Sequence, residues 1–369
     1  MNKLDVQQLI DKTLKNFCIN GSCLREFFPP KDSDRGSCFL WSYFATTGML
    51  YYAIKAGYPV EEIYKELVDG FVYYRSGKLE SGLVKYHSER GEMIDGGNGP
   101  CFFDDNIWTA RNYLFAYEIF KDERYLHEAL NVTEYVCTGW SDALGGLVWN
   151  ENGLFDNATT QELERGLSAN ACASIVNSIL YRLTGKDKYL MWAKRFYEFC
   201  KKMQDCETKI YYNGIHTCIQ NGQRSDGEVN KDLYSYNTGS MILADLELYK
   251  ITADEVYLED AKMSSEAAYR VFIQKDEISG MLYAKDFVWF TAILAEGWQE
   301  LSSVGSIREK KFLEVLGKSI EYSLQHKSEA GLLPHDLVCG WRTEGDYDRM
   351  LLSNSGIAEI AVIACAGYL

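Results

Sequence analysis

Two carboxylic acids stand side by side in the run Gly99-Pro100-Cys101-Phe102-Phe103-Asp104-Asp105-Asn106-Ile107-Trp108. Gly96, Gly97, Gly99 and Pro100 break the chain into a loop, and the apolar run over 107–120 predicts a helix, so the pair falls on a first helical turn. Unpaired N–H groups make that end of a helix partly positive and favour an ionised carboxylate. Repulsion between the two makes one acid keep its proton to higher pH. A charged carboxylate beside a neutral one is what a retaining glycosidase uses, a nucleophile next to a general acid. The plainer reading is that the pair caps the helix and is solvated, since Asp is a preferred capping residue.

Composition narrows the classes of partner. The chain has 369 residues and a formal net charge of -15, which repels phosphate backbones and anionic lipid, so neither nucleic acid nor a membrane surface is an expected partner. The opening Met1 to Gln8 holds no apolar core of signal-peptide length, and no run reaches the roughly 18 apolar residues of a spanning helix. A soluble cytoplasmic protein is expected. The 11 cysteines are an odd count lying mostly in apolar runs, which reads as reduced, buried thiols. No Cys-x-x-Cys, no His/carboxylate cluster, no phosphate-cradling glycine loop and no Gly-x-Ser-x-Gly elbow is found, so no metal and no cofactor is expected. The 5 prolines mark no linker, and a single domain over residues 1–369 is expected.

The elements that must position the Asp pair follow from an internal repeat. Segments 117–129, 181–193 and 249–261 align: a Tyr ends one apolar stretch, a polar turn follows, and Tyr-Leu opens the next helix at Tyr125, Tyr189 and Tyr257. A second marker lies between these units, a turn leading into a short extended piece, at 81–84, 145–148, 209–212, 279–282 and 330–333. Apolar periodicity predicts twelve helices, over 4–17, 37–56, 60–74, 105–120, 123–138, 168–183, 186–203, 236–251, 254–273, 286–301, 307–326 and 350–368. Alternate members are apolar almost all round, as in 286–301, whereas 307–326 has one apolar stripe, Phe312, Leu316, Ile320 and Leu324. Enclosed helices alternating with half-exposed ones describe an all-α fold, an (α/α)6 toroid with a double ring of six inner and six outer helices. In that scheme the Asp pair opens an inner helix and faces a central cavity.

The other inner helices begin near Trp41, Asn170, Tyr236 with Asn237, Lys285 and Asn354, and the connection before the third carries Trp149. Aromatic faces together with amide and hydroxyl edges suit a polyol, because rings stack on sugars while amides donate and accept. Trp41, Asn106, Trp108, Trp149, Asn170, Tyr236, Asn237 and Lys285 are therefore the candidate substrate-binding residues. The five histidines lie in connections or on outer helices, away from any inner-helix face.

The run Phe103 to Trp108 resembles the aromatic-Asp-Asp-Asn-x-Trp signature of glycoside hydrolase family 76, the endo-α-1,6-mannanases. Leu183 to Leu190, Thr138-Gly139-Trp140 with Leu144 to Trp149, and Tyr234-Ser235-Tyr236-Asn237-Thr238-Gly239 are similar to its pattern too, and the resemblance covers roughly residues 41–354. It implies an (α/α)6 fold and retaining hydrolysis of α-1,6-mannosidic bonds in mannan or manno-oligosaccharide, with Asp104 as nucleophile and Asp105 as general acid/base. Two other readings stand beside it. One is another (α/α)6 sugar enzyme, an epimerase, which wants inner-helix histidines, or an unsaturated uronyl hydrolase, which wants cations at the mouth, where Arg111, Arg165 and Lys285 are the candidates. The other is a non-catalytic glycan-binding protein.

Overall fold

The structure, a computed structural model, describes residues 1–30, 35–77, 82–326, 330–343 and 349–366. Among these, thirteen helices follow one another: α1 (Lys3–Phe17), α2 (Leu40–Lys55), α3 (Glu61–Asp69), α4 (Phe103–Phe120), α5 (Glu123–Cys137), α6 (Leu167–Thr184), α7 (Asp187–Lys201), α8 (Ser235–Thr252), α9 (Glu255–Phe272), α10 (Val288–Ser303), α11 (Arg308–Gln325), the one-turn α12 (Gly340–Thr343) and α13 (Leu351–Ala366). All but α12 were expected from periodicity. The helix expected over 60–74 is α3 followed by a tighter 3-10 turn, Gly70–Tyr73. Gly70 is needed there, because a β-carbon would lie 2.2 Å from the Tyr43 hydroxyl oxygen. Residues 367 and 368 of the last expected helix, and Ser81 of the first turn marker, lie outside the described residues.

The chain divides into two compact units, residues 1–70 with 265–369, and residues 71–264. In the first, α13 packs between α2 and α10, with α1 and α11 laid against it and α3 against α2. Its inner contacts are close and polar as well as apolar. Thr46 and Ser355 share a 2.9 Å hydroxyl bond, Tyr52 donates to Glu296 at 2.6 Å, and a β-carbon on Gly356 would meet the Trp289 Cα at 2.8 Å. In the second unit α6 packs between α4 and α8, with α5 on α4 and α7 on α6.

Six helices among the described residues are enclosed on every side: α2, α10 and α13 in the first unit, α4, α6 and α8 in the second. Small residues make this possible, as in the α6 run Ser168-Ala169-Asn170-Ala171-Cys172-Ala173-Ser174, which lets neighbours approach from both flanks. The helices between them bury one stripe each; in α11 the buried residues include Phe312, Leu316 and Ile320.

A recurring clamp fixes where the enclosed helices begin. The fourth residue of α4, α6, α8 and α13 reaches back to the extended piece of the preceding connection. Asn106 accepts from the Tyr86 N–H at 2.8 Å, Asn170 from Leu147 at 2.8 Å, Thr238 from Tyr211 at 3.3 Å and Asn354 from Leu333 at 3.3 Å. Each asparagine also donates to the carbonyl four residues before it, Phe102, Gly166 and Met350. A buried N–H left without such a partner costs about 1–3 kcal/mol, so the connection is held in one register. In the second unit these connections also lace neighbouring helices together: Phe103, the first residue of α4, donates to the Trp149 carbonyl, and Leu167, the first of α6, donates to that of Asn213.

The connection between α7 and α8 carries a hairpin, Gly214–Gln220 and Gln223–Asn230, that joins Arg165–Gly166 in a three-stranded antiparallel sheet. No strand of that length was expected from the sequence. Its turn, Asn221-Gly222, has both residues at positive φ (52° and 75°).

Candidate active site

The loop before α4 ends at Phe102, whose extended backbone serves as the cap, with no side chain bonding the first N–H groups. Asp104 and Asp105 are the second and third helical residues, two and three steps inside the position a capping Asp would take. That removes the capping reading of the pair. Both side chains are half-buried, and burial is the largest influence on their acidity.

Asp104 is pushed up from 3.8 to about 6 by burial, against a hydrogen bond from the Trp108 side chain that pulls it down. The indole N–H can only donate, so it favours the charged carboxylate. Asp105 lies well above the ordinary carboxylate range, through burial first and then the like charge of Asp104. The helix end was expected to favour ionisation; loss of water outweighs that partial charge here. The two acids are staggered all the same: Asp104 has a bond holding it charged, and Asp105 has a neighbour holding it neutral. One oxygen of Asp104, Oδ1, is buried without a hydrogen-bond partner.

Trp149 is brought to Phe102 and Phe103, just ahead of this pair. Its carbonyl accepts from the Phe103 N–H at 3.0 Å, and its half-buried ring packs on Phe102 with centroids 4.8 Å apart. Trp108 was expected to be a stacking face for sugar. The structure corrects this: its ring is only 3% exposed, lies under the Arg111 guanidinium at 5.2 Å, and acts on Asp104 instead.

Asn106 and Asn170 were expected to bind substrate, and both assignments fail for one reason. Each amide is fully buried and spent on backbone, Asn106 on Tyr86 and Phe102, Asn170 on Leu147 and Gly166. They are the clamps that set the helix starts. Asn237 differs: its Nδ2 donates to Asn213 at 3.2 Å, but its buried Oδ1 has no partner. Tyr236 beside it is half-buried, its hydroxyl 3.5 Å from the same Asn213 oxygen. Trp41, 37% exposed on the first turn of α2, and the exposed Lys285 ahead of α10 belong to the first unit. Ser168 escaped the sequence reading. It is 2% exposed with an unpartnered hydroxyl, and the signal for it was its place two residues before Asn170, as Asp104 stands two before Asn106.

Two of the three cations wanted for a uronide, Arg165 and Arg111, are otherwise engaged. Arg165 is fully buried, pairing with Asp226 at 2.7 Å and donating to the carbonyls of Leu144, Gly145 and His216. Arg111 is 4% exposed and stacked on Trp108 and Phe115. Among the described residues no cluster of three or more His, Cys, Asp or Glu is placed to hold a metal ion, and no helix is long and apolar enough to cross a membrane.

A mostly helical chain with paired half-buried acids on an enclosed helix has the makings of a sugar-cleaving enzyme, and comparison with known proteins places it among them. The sequence model of Glycosyl hydrolase family 76 matches residues 45–364, so the chain belongs to that family of glycoside hydrolases. No curated protein matches it. The fold is shared with the glycoside hydrolase family 76 (mannosidase) Bt3792 from Bacteroides thetaiotaomicron VPI-5482, at 21% identity and a TM-score of 0.81, covering 98% of this chain and 97% of that one. It is also shared with the GH76A alpha-1,6-mannanase from Salegentibacter sp. HEL1_6, at 20% identity and a TM-score of 0.75, covering 98% of both chains. An inactive variant of the latter, with two consecutive aspartates changed to asparagine, is known in complex with alpha-1,6-mannotriose, again at 20% identity, a TM-score of 0.75 and 98% coverage of both chains.

Proposed function

We propose that this protein is a retaining glycoside hydrolase that cleaves α-1,6-mannosidic bonds in mannan or manno-oligosaccharides. The observation that carries the proposal is the pair Asp104 and Asp105 on the first turn of α4, neither of them capping the helix, staggered in acidity, with Asp104 Oδ1 buried and unpartnered. The fold it shares with an alpha-1,6-mannanase, and the loss of activity in that protein when two consecutive aspartates are replaced, support the same reading.

In the first step the Asp104 carboxylate attacks the anomeric carbon while the glycosidic C–O bond breaks, and the leaving oxygen takes the proton of Asp105. In the second, Asp105, now a carboxylate, removes a proton from water, whose oxygen displaces Asp104 and restores both groups. Trp108 holds the nucleophile charged, and Trp149 with Phe102 offers an aromatic face for a sugar ring. The closed (α/α)6 ring, as one catalytic domain over residues 1–369, belongs to the proposal; its support is three enclosed helices in each unit and a likeness to Bt3792 along 98% of the chain.

The test is proton NMR of α-1,6-mannotriose during hydrolysis. The expected result is a first-formed sugar with the α configuration of the substrate, and no turnover by Asp104→Asn or Asp105→Asn. A β product, or substantial activity in both variants, would remove the assignment.

A further inference from the structure

The clamp residues give the enclosed helices of the second unit a common register. Asn106, Asn170 and Thr238 are each the fourth residue of their helix and each hold the connection ahead of it. Counting back two places reaches Asp104, Ser168 and Tyr236, and counting back one reaches Asp105, Ala169 and Asn237. The sequence repeat agrees, since Ser168 lies 64 residues after Asp104, as Tyr189 does after Tyr125.

The level of these turns is shared as well as their register. The three-residue strip Leu147-Val148-Trp149 is tied at one end to Asn170 of α6 and at the other to Phe103 of α4. At about 3.3 Å per residue, the two ties are roughly 7 Å apart. The strip Tyr211-Tyr212-Asn213 ties Thr238 of α8 and Leu167 of α6 in the same way. With α6 packed between α4 and α8, a residue in the register of Asp104 or Asp105 holds on its own helix the place that the acid holds on α4.

Ser168 and Asn237 are the residues this register selects, and both carry an unmet hydrogen-bonding atom. Ser168 is 2% exposed and its Oγ has no partner; Asn237 is fully buried and its Oδ1 has none. Buried polar atoms are nearly always bonded, and the exceptions call for a missing partner. Other buried polar atoms of α6 and α8 lack a partner as well, among them Asn177 Oδ1, Ser178 Oγ and Ser240 Oγ; Ser168 and Asn237 are the ones that also hold the register positions of the two acids.

We propose that Ser168 is a substrate-binding residue of this site, its Oγ bonding a hydroxyl of the sugar that lies against Asp104, with Asn237 Oδ1 accepting from a second hydroxyl on the flank of Asp105. The inference rests on the hydrolase reading above and extends it to two named polar contacts. Neither residue touches the bond being broken; they select a polyol over a less hydroxylated ring, because an analogue lacking the hydroxyl leaves their buried atoms unpaired.

The experiment compares the full chain with Ser168→Ala and Asn237→Ala in hydrolysis of α-1,6-mannotriose and in thermal melts without sugar. For Ser168→Ala, kcat/KM falls on the order of tenfold, the worth of one neutral hydrogen bond. The melting temperature without sugar stays level or rises, since an unpartnered hydroxyl has been removed. Asn237→Ala loses kcat/KM similarly. Wild-type kcat/KM in Ser168→Ala, with an active parent chain, overturns this inference alone. A drop of several degrees in its melting temperature also overturns it, by revealing an internal partner. A parent chain that neither cleaves nor binds α-1,6-mannotriose by calorimetry overturns the hydrolase reading, and this inference with it.

Discussion

Trp108→Phe isolates the one interaction that separates the two acids. The variant keeps an aromatic ring under Arg111, whose guanidinium sits 5.2 Å from the Trp108 ring and 4.7 Å from Phe115, and removes only the N–H that bonds Asp104. A hydrogen bond to a charged group is worth about 1.5–3 kcal/mol, and the indole is a neutral donor to a carboxyl that keeps some solvent, so the low end applies, roughly one pH unit. Asp104 starts at about 6. Raising it by that amount cuts the ionised fraction at pH 6 from about one half to about one tenth, so kcat/KM there falls about fivefold. At pH 8 both forms are about nine-tenths ionised or more, and the two enzymes are nearly equal by the same relation. The assay is the initial rate of α-1,6-mannotriose hydrolysis between pH 4 and 9, at substrate far below KM. An acid limb displaced upward with an unchanged plateau is the expected outcome. A loss of equal size at every pH would mean that the ring packs or binds substrate and does not tune Asp104, and the staggered-acid argument would fall.

Replacing both acids by asparagine stabilises the fold at neutral pH. A carboxyl held at about 6 instead of 3.8 disfavours the folded state above both values by at most about 3 kcal/mol, and the penalty vanishes as pH falls below the unfolded value, so the gain in denaturant midpoint is present at pH 7 and gone at about pH 3. Asn170→Ala costs about 2–4 kcal/mol in urea unfolding, because the Leu147 N–H and the Gly166 carbonyl both lose a buried partner; a raised KM with unchanged stability would restore its reading as a ligand. Gly146→Ala is more damaging still, since Gly146 has φ +82° and a β-carbon would lie 2.4 Å from the Phe199 ring; a loss of soluble protein, or of more than about 2 kcal/mol, is expected, and a wild-type melting curve would contradict it.

Much of the helical frame was legible because enclosure leaves a mark on composition. A helix walled in on all sides has no polar face, and that absence identified α10 and α13 from sequence. The position of the acids was legible because a glycine-rich loop, a proline and an apolar run define a helix start. Their state was not. The sequence argument gave weight to the helix end, whereas the acidity is set by how much water the surrounding chain removes, which is a tertiary quantity. The hairpin Gly214–Gln220 with Gln223–Asn230 was missed although Asn221-Gly222 is a hairpin signal, because its strands are polar and mostly exposed and so lack alternation.

The misreading of Asn106 and Asn170 has a deeper cause. An amide at a helix start offers one donor and one acceptor, which is equally the requirement for gripping a sugar hydroxyl and for gripping a passing strand. The clamp needs both functions at once: the donor goes to the carbonyl four residues back, and the acceptor takes a backbone N–H from the connection. Threonine at the same place in α8 accepts the connection's N–H through its hydroxyl, at 3.3 Å. Repetition of the residue from helix to helix therefore signals a structural device, since a ligand breaks the equivalence of the units and a scaffold keeps it. The two positions ahead of the clamp vary as chemistry demands: Asp104 and Asp105 in α4, Ser168 and Ala169 in α6, Tyr236 and Asn237 in α8. The constant residue fixes where those side chains stand, and the varying ones decide what the site can do.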